Sequence, residues 1–338
     1  MNNTSASTIG SRQDLDSSKN SPSRMEGVTL CSAFMLTFVL VVAGNLITII
    51  LFAKNKNIRK KNLFLPINMA FADLFLGAVG LPIYIYYVGF YFQLWTSRIG
   101  NLSSNNRLYI FFLAFDTFFS QASIISAAFI SCERFYAMYW PFKHRTLSTR
   151  TYRILIIIVW IITLFISAIW TGSNLLLSTK HTMFVWGLYT LILVLIMCGC
   201  YMGIWRKFQS GSLATSHQQN RDLQNKRLTK TLLFVSGLSL LAWLPLIISN
   251  FLIFVCLLPV QFKFYFMVNL INYFNSFVNP VVYALRIVEF RQALTTRCFL
   301  GREPAMNTSL AEVRSETRGK TDFIYELAFE QVVMDIKL

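Results

Sequence analysis

Seven stretches of the chain are apolar for roughly 20 residues or more, the length an α-helix needs to cross the hydrocarbon core of a bilayer. They fall near 27–53, 63–90, 107–139, 154–178, 182–207, 230–257 and 264–285. Overall 55% of residues are hydrophobic and 14% are charged, a balance outside that of a typical soluble domain. The expected fold class is therefore an all-α membrane protein, a seven-transmembrane helix bundle. The second and sixth stretches contain proline, which a helix inside a bundle accommodates as a kink. Three regions are expected: an extracellular segment 1–26, a transmembrane domain 27–285 and a cytoplasmic tail 286–338.

The formal net charge of +16 does not point to nucleic acid, because the basic residues sit between apolar stretches and not on one face of a soluble domain. Their distribution gives an orientation instead. Lys54, Lys56, Arg59, Lys60 and Lys61 follow the first stretch, whereas the next loop carries only Arg98. Lys143, Arg145, Arg150 and Arg153 follow the third, and Arg206, Lys207, Arg221, Lys226, Arg227 and Lys230 follow the fifth. Loops rich in Lys and Arg stay in the cytoplasm, which places the N-terminus outside and the C-terminus inside. Residues 1–26 lack an apolar signal-peptide core, so the first span is expected to act as the targeting signal. Glycosylation sequons at Asn2, Asn3 and Asn101 fall on the expected outer side. The six cysteines imply no disulfide framework; Cys298, beyond the last span, sits where a palmitoyl anchor is expected.

Ionisable groups inside a bilayer are expensive and mark function. Asp73 lies in "INMAFADLFLG" and Asp116 in "FFLAFDTFFSQASIIS", neither with a Lys or Arg nearby in its own span. From Asp116 to Arg134 the helix makes about five turns, so both side chains share one face, about 27 Å apart along the axis. Ser123 lies close to the same face. One stripe of the third span thus carries an acid, a hydroxyl and a guanidinium, and must face protein or water.

The motifs, taken in order, resemble those of the rhodopsin-like G-protein-coupled receptors. Gly44–Leu46 reads "GNL", and Asp73 sits in "AFADL". Glu133-Arg134-Phe135 is similar to the family's Asp-Arg-Tyr, and Pro141 and Phe142 follow it. Trp160, Tyr201, the "AWLP" containing Trp243 and Pro245, and the "NSFVNPVVY" containing Asn275, Asn279, Pro280 and Tyr283 fall on successive spans. "EFRQAL" at 289–294 looks like the family's short amphipathic eighth helix. The resemblance implies a receptor and not an enzyme. It would have no cofactor beyond an allosteric sodium ion at Asp73, with Ser123, Asn275 and Asn279 completing that polar network.

By the same resemblance, Glu133 holds Arg134 in the resting state. Tyr201, Trp243, Pro245, Asn279, Pro280 and Tyr283 take part in the switch, and Arg134, Pro141 and Phe142 meet a heterotrimeric G protein. Arrestin and receptor kinases are implied as partners of the tail, together with membrane lipid around the bundle. Asn225 stands where some members carry an acid that locks the Arg, so appreciable ligand-independent activity is expected.

For the small extracellular ligand, Asp116 and Tyr273 match positions where amine receptors bind an ammonium group. Trp243 and Asn250 are further candidates for contact, the latter reminiscent of nucleoside receptors. Leu246, Ile247, Val185, Trp186 and Tyr189 depart from the amine pattern, and a catecholamine is not expected. Tyr109 in place of the usual cysteine, the short outer loop near 178–182 and Leu193 resemble the melanocortin, cannabinoid and lysophospholipid group. Lipid and peptide ligands therefore stay open beside an amine. An ion-coupled transporter is the alternative class, although the chain lacks the internal repeats and broken helix pairs of such proteins.

Overall fold

The computed structural model describes residues 23–55, 61–95, 107–176, 179–209, 237–256, 262–286 and 290. Its solvent preference is inverted relative to a soluble protein. Asn45, Asn68, Asp73, Ser126, Arg134 and Asn279 are buried, while Met35, Leu36, Ile157, Phe165, Leu195 and Met202 are exposed. Polar groups inside and apolar groups outside are what a lipid solvent requires, because hydrocarbon cannot satisfy a hydrogen-bonding group.

Helix α1 spans Arg24–Lys54, with Glu26 in its first turn and Lys54 in its last, each of the sign that suits the helix dipole there. A single 3-10 turn, Lys61–Leu63, leads into α2, Phe64–Phe75. The second span then widens into a π-helical turn, Leu76–Gly80, before α3, Leu81–Tyr91. Pro82 explains the interruption: it has no N–H to donate, and Leu81 N–H reaches back five residues to the Leu76 carbonyl. Helix α4 runs unbroken over Arg107–Tyr139 and packs against α2, α6 and α7, which makes it the central post.

The short α5, Pro141–Thr146, starts on a proline whose missing N–H would be unpaired there anyway. Helices α6, Thr149–Leu176, and α7, Thr179–Gln209, follow. Only residues 177–178 separate them, in keeping with the very short outer loop expected from the sequence. Helix α8 covers residues 237–250 and passes into a π-helical turn, Phe251–Val255. Helix α9 spans Phe262–Arg286 with Pro280 inside it.

Five of these spans are long and apolar enough to cross a membrane, and Gly237–Ile253 is a shorter apolar helix. Helix α9 is also long enough, but it carries Asn269, Asn272, Asn275 and Asn279 and is correspondingly more polar. Among the described residues no strand occurs. Each of the seven stretches read from the sequence holds a described helix, and residues 230–236 of the sixth lie outside the described residues.

Two apolar clusters hold the bundle. Phe34, Leu81, Phe92, Phe266 and Tyr273 join α1, α3 and α9. Ile125, Val159, Met197, Trp243 and Tyr283 join α4, α6, α7, α8 and α9. Gly44 lets α1 approach α9 closely, since a Cβ there would lie 3.2 Å from the Pro280 ring. Asn45 beside it donates to the carbonyls of Val41 and Ser276, at 2.9 and 3.1 Å, and so fastens the same two helices. Asn68 similarly ties three helices, donating to Ser126 at 3.0 Å and accepting from the Trp160 indole at 2.9 Å.

Candidate functional site

The polar stripe predicted for the third span exists, and it forms three sites along α4. The first is at Asp116. Its carboxylate accepts a hydrogen bond from the Tyr273 hydroxyl on α9 at 2.5 Å. Tyr273 is itself held by rings, with Tyr84 at 5.2 Å and Phe34 at 6.3 Å. Gly80, in the π-helical turn, brings backbone close to the same oxygen, from which an added Cβ would stand 3.4 Å. Asp116 keeps part of its surface accessible, and among the described residues no Lys, Arg or His forms an ion pair with it. Trp243 and Asn250 are both buried on α8, and the Asn250 carbonyl oxygen has no protein partner. Gln121 Oε1 and the Tyr189 hydroxyl are likewise buried without partners. Gln121 went unnoticed in the sequence, although a glutamine within an apolar run is signal enough.

About seven residues further along α4, Ser123 donates to Asp73 at 2.8 Å. Asp73 is fully buried and accepts two more bonds, from Ser276 and from the Asn279 amide, each at 2.8 Å. Here the structure amends the sequence reading: Ser276, and not its neighbour Asn275, reaches the carboxylate. Successive helical residues point about 100° apart, so only one of the two can face Asp73 directly. Asn275 is buried nearby in sequence, and its Oδ1 has no partner; the same holds for Asn279 Oδ1 and the Tyr283 hydroxyl. A carboxylate with two hydroxyl oxygens beside it is an oxygen donor set of the kind that fits a small hard cation.

The third site is at the end of α4. Arg134 is 1% exposed, and its guanidinium donates to both oxygens of Glu133 through Nε and Nη2. The fork geometry of guanidinium and carboxylate makes this a strong bidentate pair. Two further groups converge on Glu133 that the sequence did not reveal. His144 Nε2 lies 2.6 Å from Oε1, and the Tyr152 hydroxyl donates to the same oxygen at 2.7 Å. His144 is a buried residue of α5. Lys61 fixes that helix by donating to the carbonyls of Arg145 and Leu147, both at 2.8 Å. Phe142, on the same short helix, is 75% exposed and projects as a free apolar side chain.

Tyr201 is partly buried beside the core, Pro245 lies within α8, and Tyr283 is buried against Phe290, ring centroids 6.3 Å apart. Phe290 is the one described residue of the expected eighth helix, and it is helical. Asn2, Asn3, Asn101, Asn225, Cys298 and, Phe290 apart, all of 287–338 lie outside the described residues.

A helical bundle with a polar interior, an unpaired carboxylate in one half and a caged arginine at the other end is the architecture of a multi-pass membrane signalling protein. Comparison with known proteins makes this specific. Residues 44–181 and 169–283 match the family described as 7 transmembrane receptor (rhodopsin family), and the chain belongs to it.

The relatives span several ligand chemistries. The chain is 24% identical to the Histamine H2 receptor of Canis lupus familiaris over 318 residues, covering 86% of this chain and 85% of that receptor. It is 24% identical to the Adenosine receptor A2a of the same species, over 75% and 68% of the two chains. It is also 24% identical to the Growth hormone secretagogue receptor type 1 of Sus scrofa, over 87% and 86%. The protein is accordingly a multi-pass membrane receptor that couples to G proteins, and its relatives are signalling receptors.

Proposed function

We propose that the ligand is a small protonated amine that enters from outside the cell and pairs with Asp116. The observation that carries this reading is a partly accessible carboxylate, hydrogen-bonded once and without a protein cation, set among aromatic rings. A carboxylate in an apolar surround is stabilised by a cation brought to it, and aromatic faces favour the same charge. Tyr273 fixes the carboxylate's orientation. Trp243 and Asn250, both buried on α8, would add contacts, and the unpartnered Asn250 side-chain oxygen would accept a donor on the ligand.

Binding biases a two-state bundle. Trp243, Pro245, Tyr201, Pro280 and Tyr283 relay the change, and Arg134 leaves Glu133 to meet the G protein together with Pro141 and Phe142. Asp73, with Ser123, Ser276 and Asn279, would hold a sodium ion, which supplies positive charge that offsets the buried carboxylate.

The receptor sits in the plasma membrane with its N-terminus outside, glycosylated at Asn2, Asn3 and Asn101. Its tail carries the palmitoyl site Cys298 and phosphorylation sites read by arrestin after receptor kinases act.

G-protein activation by a panel of primary and secondary amines, each beside a neutral analogue with carbon in place of nitrogen, tests the reading. Responses to amines and none to their carbon analogues are expected. Equal responses to both members of a pair would remove the ammonium from the account.

A further inference from the structure

The two halves of one helix seam end in a pair of thiols. Along α4, residues 132, 135 and 139 recur at the spacing of a single helix face, and along α7 residues 200, 203 and 207 do the same. The two rows meet in register. Cys132 Sγ lies 3.7 Å from Cys200 Sγ. Phe135 lies over Gly203, where an added Cβ would stand 2.4 Å from the ring, so the backbones can approach only because residue 203 is glycine. The Tyr139 hydroxyl donates to the Gly203 carbonyl at 3.0 Å, and Lys207 Nζ stands 5.8 Å above the Tyr139 ring. The seam holds the two sulfurs together, and Cys132 lies on the outside of the bundle, open to small solutes in the membrane.

We infer that Cys132 and Cys200 form a reversible disulfide that clamps α4 to α7 beside the arginine switch. A disulfide needs the sulfurs about 2 Å apart, so they must close by about 1.7 Å, which side-chain rotation supplies without moving either helix far. Each cysteine directly precedes a residue of the switch, Cys132 before Glu133 and Cys200 before Tyr201. A covalent link here fixes the two helices at the level where the resting and active arrangements differ.

The oxidant is a hydroperoxide. One sulfur, as thiolate, attacks the peroxide's terminal oxygen, cleaving the O–O bond to give a sulfenic acid and release hydroxide or alkoxide, which takes up a proton. The second thiol's sulfur then displaces the sulfenic oxygen as water, forming the S–S bond. The two sulfurs together lose two electrons, and hydrogen peroxide becomes two waters. A thiol reductant reverses the step, as befits a redox-responsive disulfide near a reducing compartment.

The test uses the full chain in cell membranes treated with hydrogen peroxide, then blocked with N-ethylmaleimide and digested with trypsin without reduction. A linked pair of peptides covering 108–134 and 181–206 is expected. The second peptide also contains Cys198, so the link must persist in Cys198→Ser and disappear in Cys200→Ser and in Cys132→Ser. On undigested portions of the same oxidised membranes the thermal midpoint of the wild type should rise with oxidation and fall back with dithiothreitol, while both clamp variants stay put. Receptor-dependent nucleotide exchange should drop by at least about fivefold in the oxidised wild type alone. Three results would each overturn the inference: no linked peptide at peroxide doses that convert these thiols to sulfinic acid, a link that follows Cys198, or a link that leaves the midpoint unchanged.

Discussion

Replacing Glu133 by Gln separates the resting state from the active one, because it removes the charge that holds Arg134. Exposed ion pairs contribute little, about 0–1 kcal/mol. This pair is of the other kind: Arg134 and Glu133 have side chains 1% and 6% exposed, and both carboxylate oxygens are engaged. Removing one partner of such a pair destabilises the state that contains it by roughly 3–5 kcal/mol. The Gln amide oxygen still accepts one bond from the guanidinium, which sets the expectation near the lower figure, about 3 kcal/mol.

His144 and Tyr152 cannot compensate, since both bind Glu133 and not Arg134. On the proposed mechanism Arg134 leaves Glu133 in the active arrangement, so that state would lose nothing from this source. The equilibrium should therefore move towards activity by about two powers of ten. Basal nucleotide exchange per surface receptor, measured by radioligand-free G-protein activation at matched expression, should rise to near the fully stimulated level. Basal exchange equal to wild type would refute the idea that Glu133 restrains Arg134.

Other perturbations have equally definite outcomes. Tyr273→Phe removes one hydrogen bond to the Asp116 carboxylate and should weaken amine potency by about 10- to 100-fold, read from concentration–response curves with surface expression unchanged. Asp73→Asn removes the charge of the oxygen-donor site. Replacing sodium by choline should alter ligand affinity in equilibrium binding to the wild type and should leave it unchanged in the variant. Gly203→Val places a side chain against Phe135 and should destabilise the bundle by roughly 1–3 kcal/mol, seen as a lower thermal midpoint and reduced surface expression.

Much of this arrangement is legible in the sequence for simple physical reasons. Apolar stretches report their own length, and a lone acid such as Asp73 or Asp116 stands out against them. The stripe from Asp116 through Ser123 to Arg134 follows from helical periodicity alone, because α4 is unbroken. Features that depend on how separate segments return to one another are not legible. His144 meets Glu133 only because the chain turns at Trp140 and α5 folds back under α4, with Lys61 from another loop holding it. Tyr152 reaches the same oxygen from α6. Ser276 displaces Asn275 in the Asp73 network through the rotation of α9, which no motif encodes. The pairing of Cys132 with Cys200 needs the register between two helices, and sequence spacing within each gives only half of that. The π-helical turn at Leu76–Gly80 is intermediate: Pro82 signals an interruption but not its form.

On the proposed mechanism Asp116 turns the arrival of a cation into release of Arg134 at the far end of the same helix. The most direct test of this mechanism is amine-stimulated G-protein activation by the wild type and by Asp116→Asn at equal surface density. The isosteric amide keeps the hydrogen bond to Tyr273 and removes only the charge. Amine potency should fall by about 100-fold or more in the variant while basal exchange persists, since a buried charge pair truncated on one side loses about 3 kcal/mol or more. An amine response of unchanged potency in Asp116→Asn would contradict the mechanism.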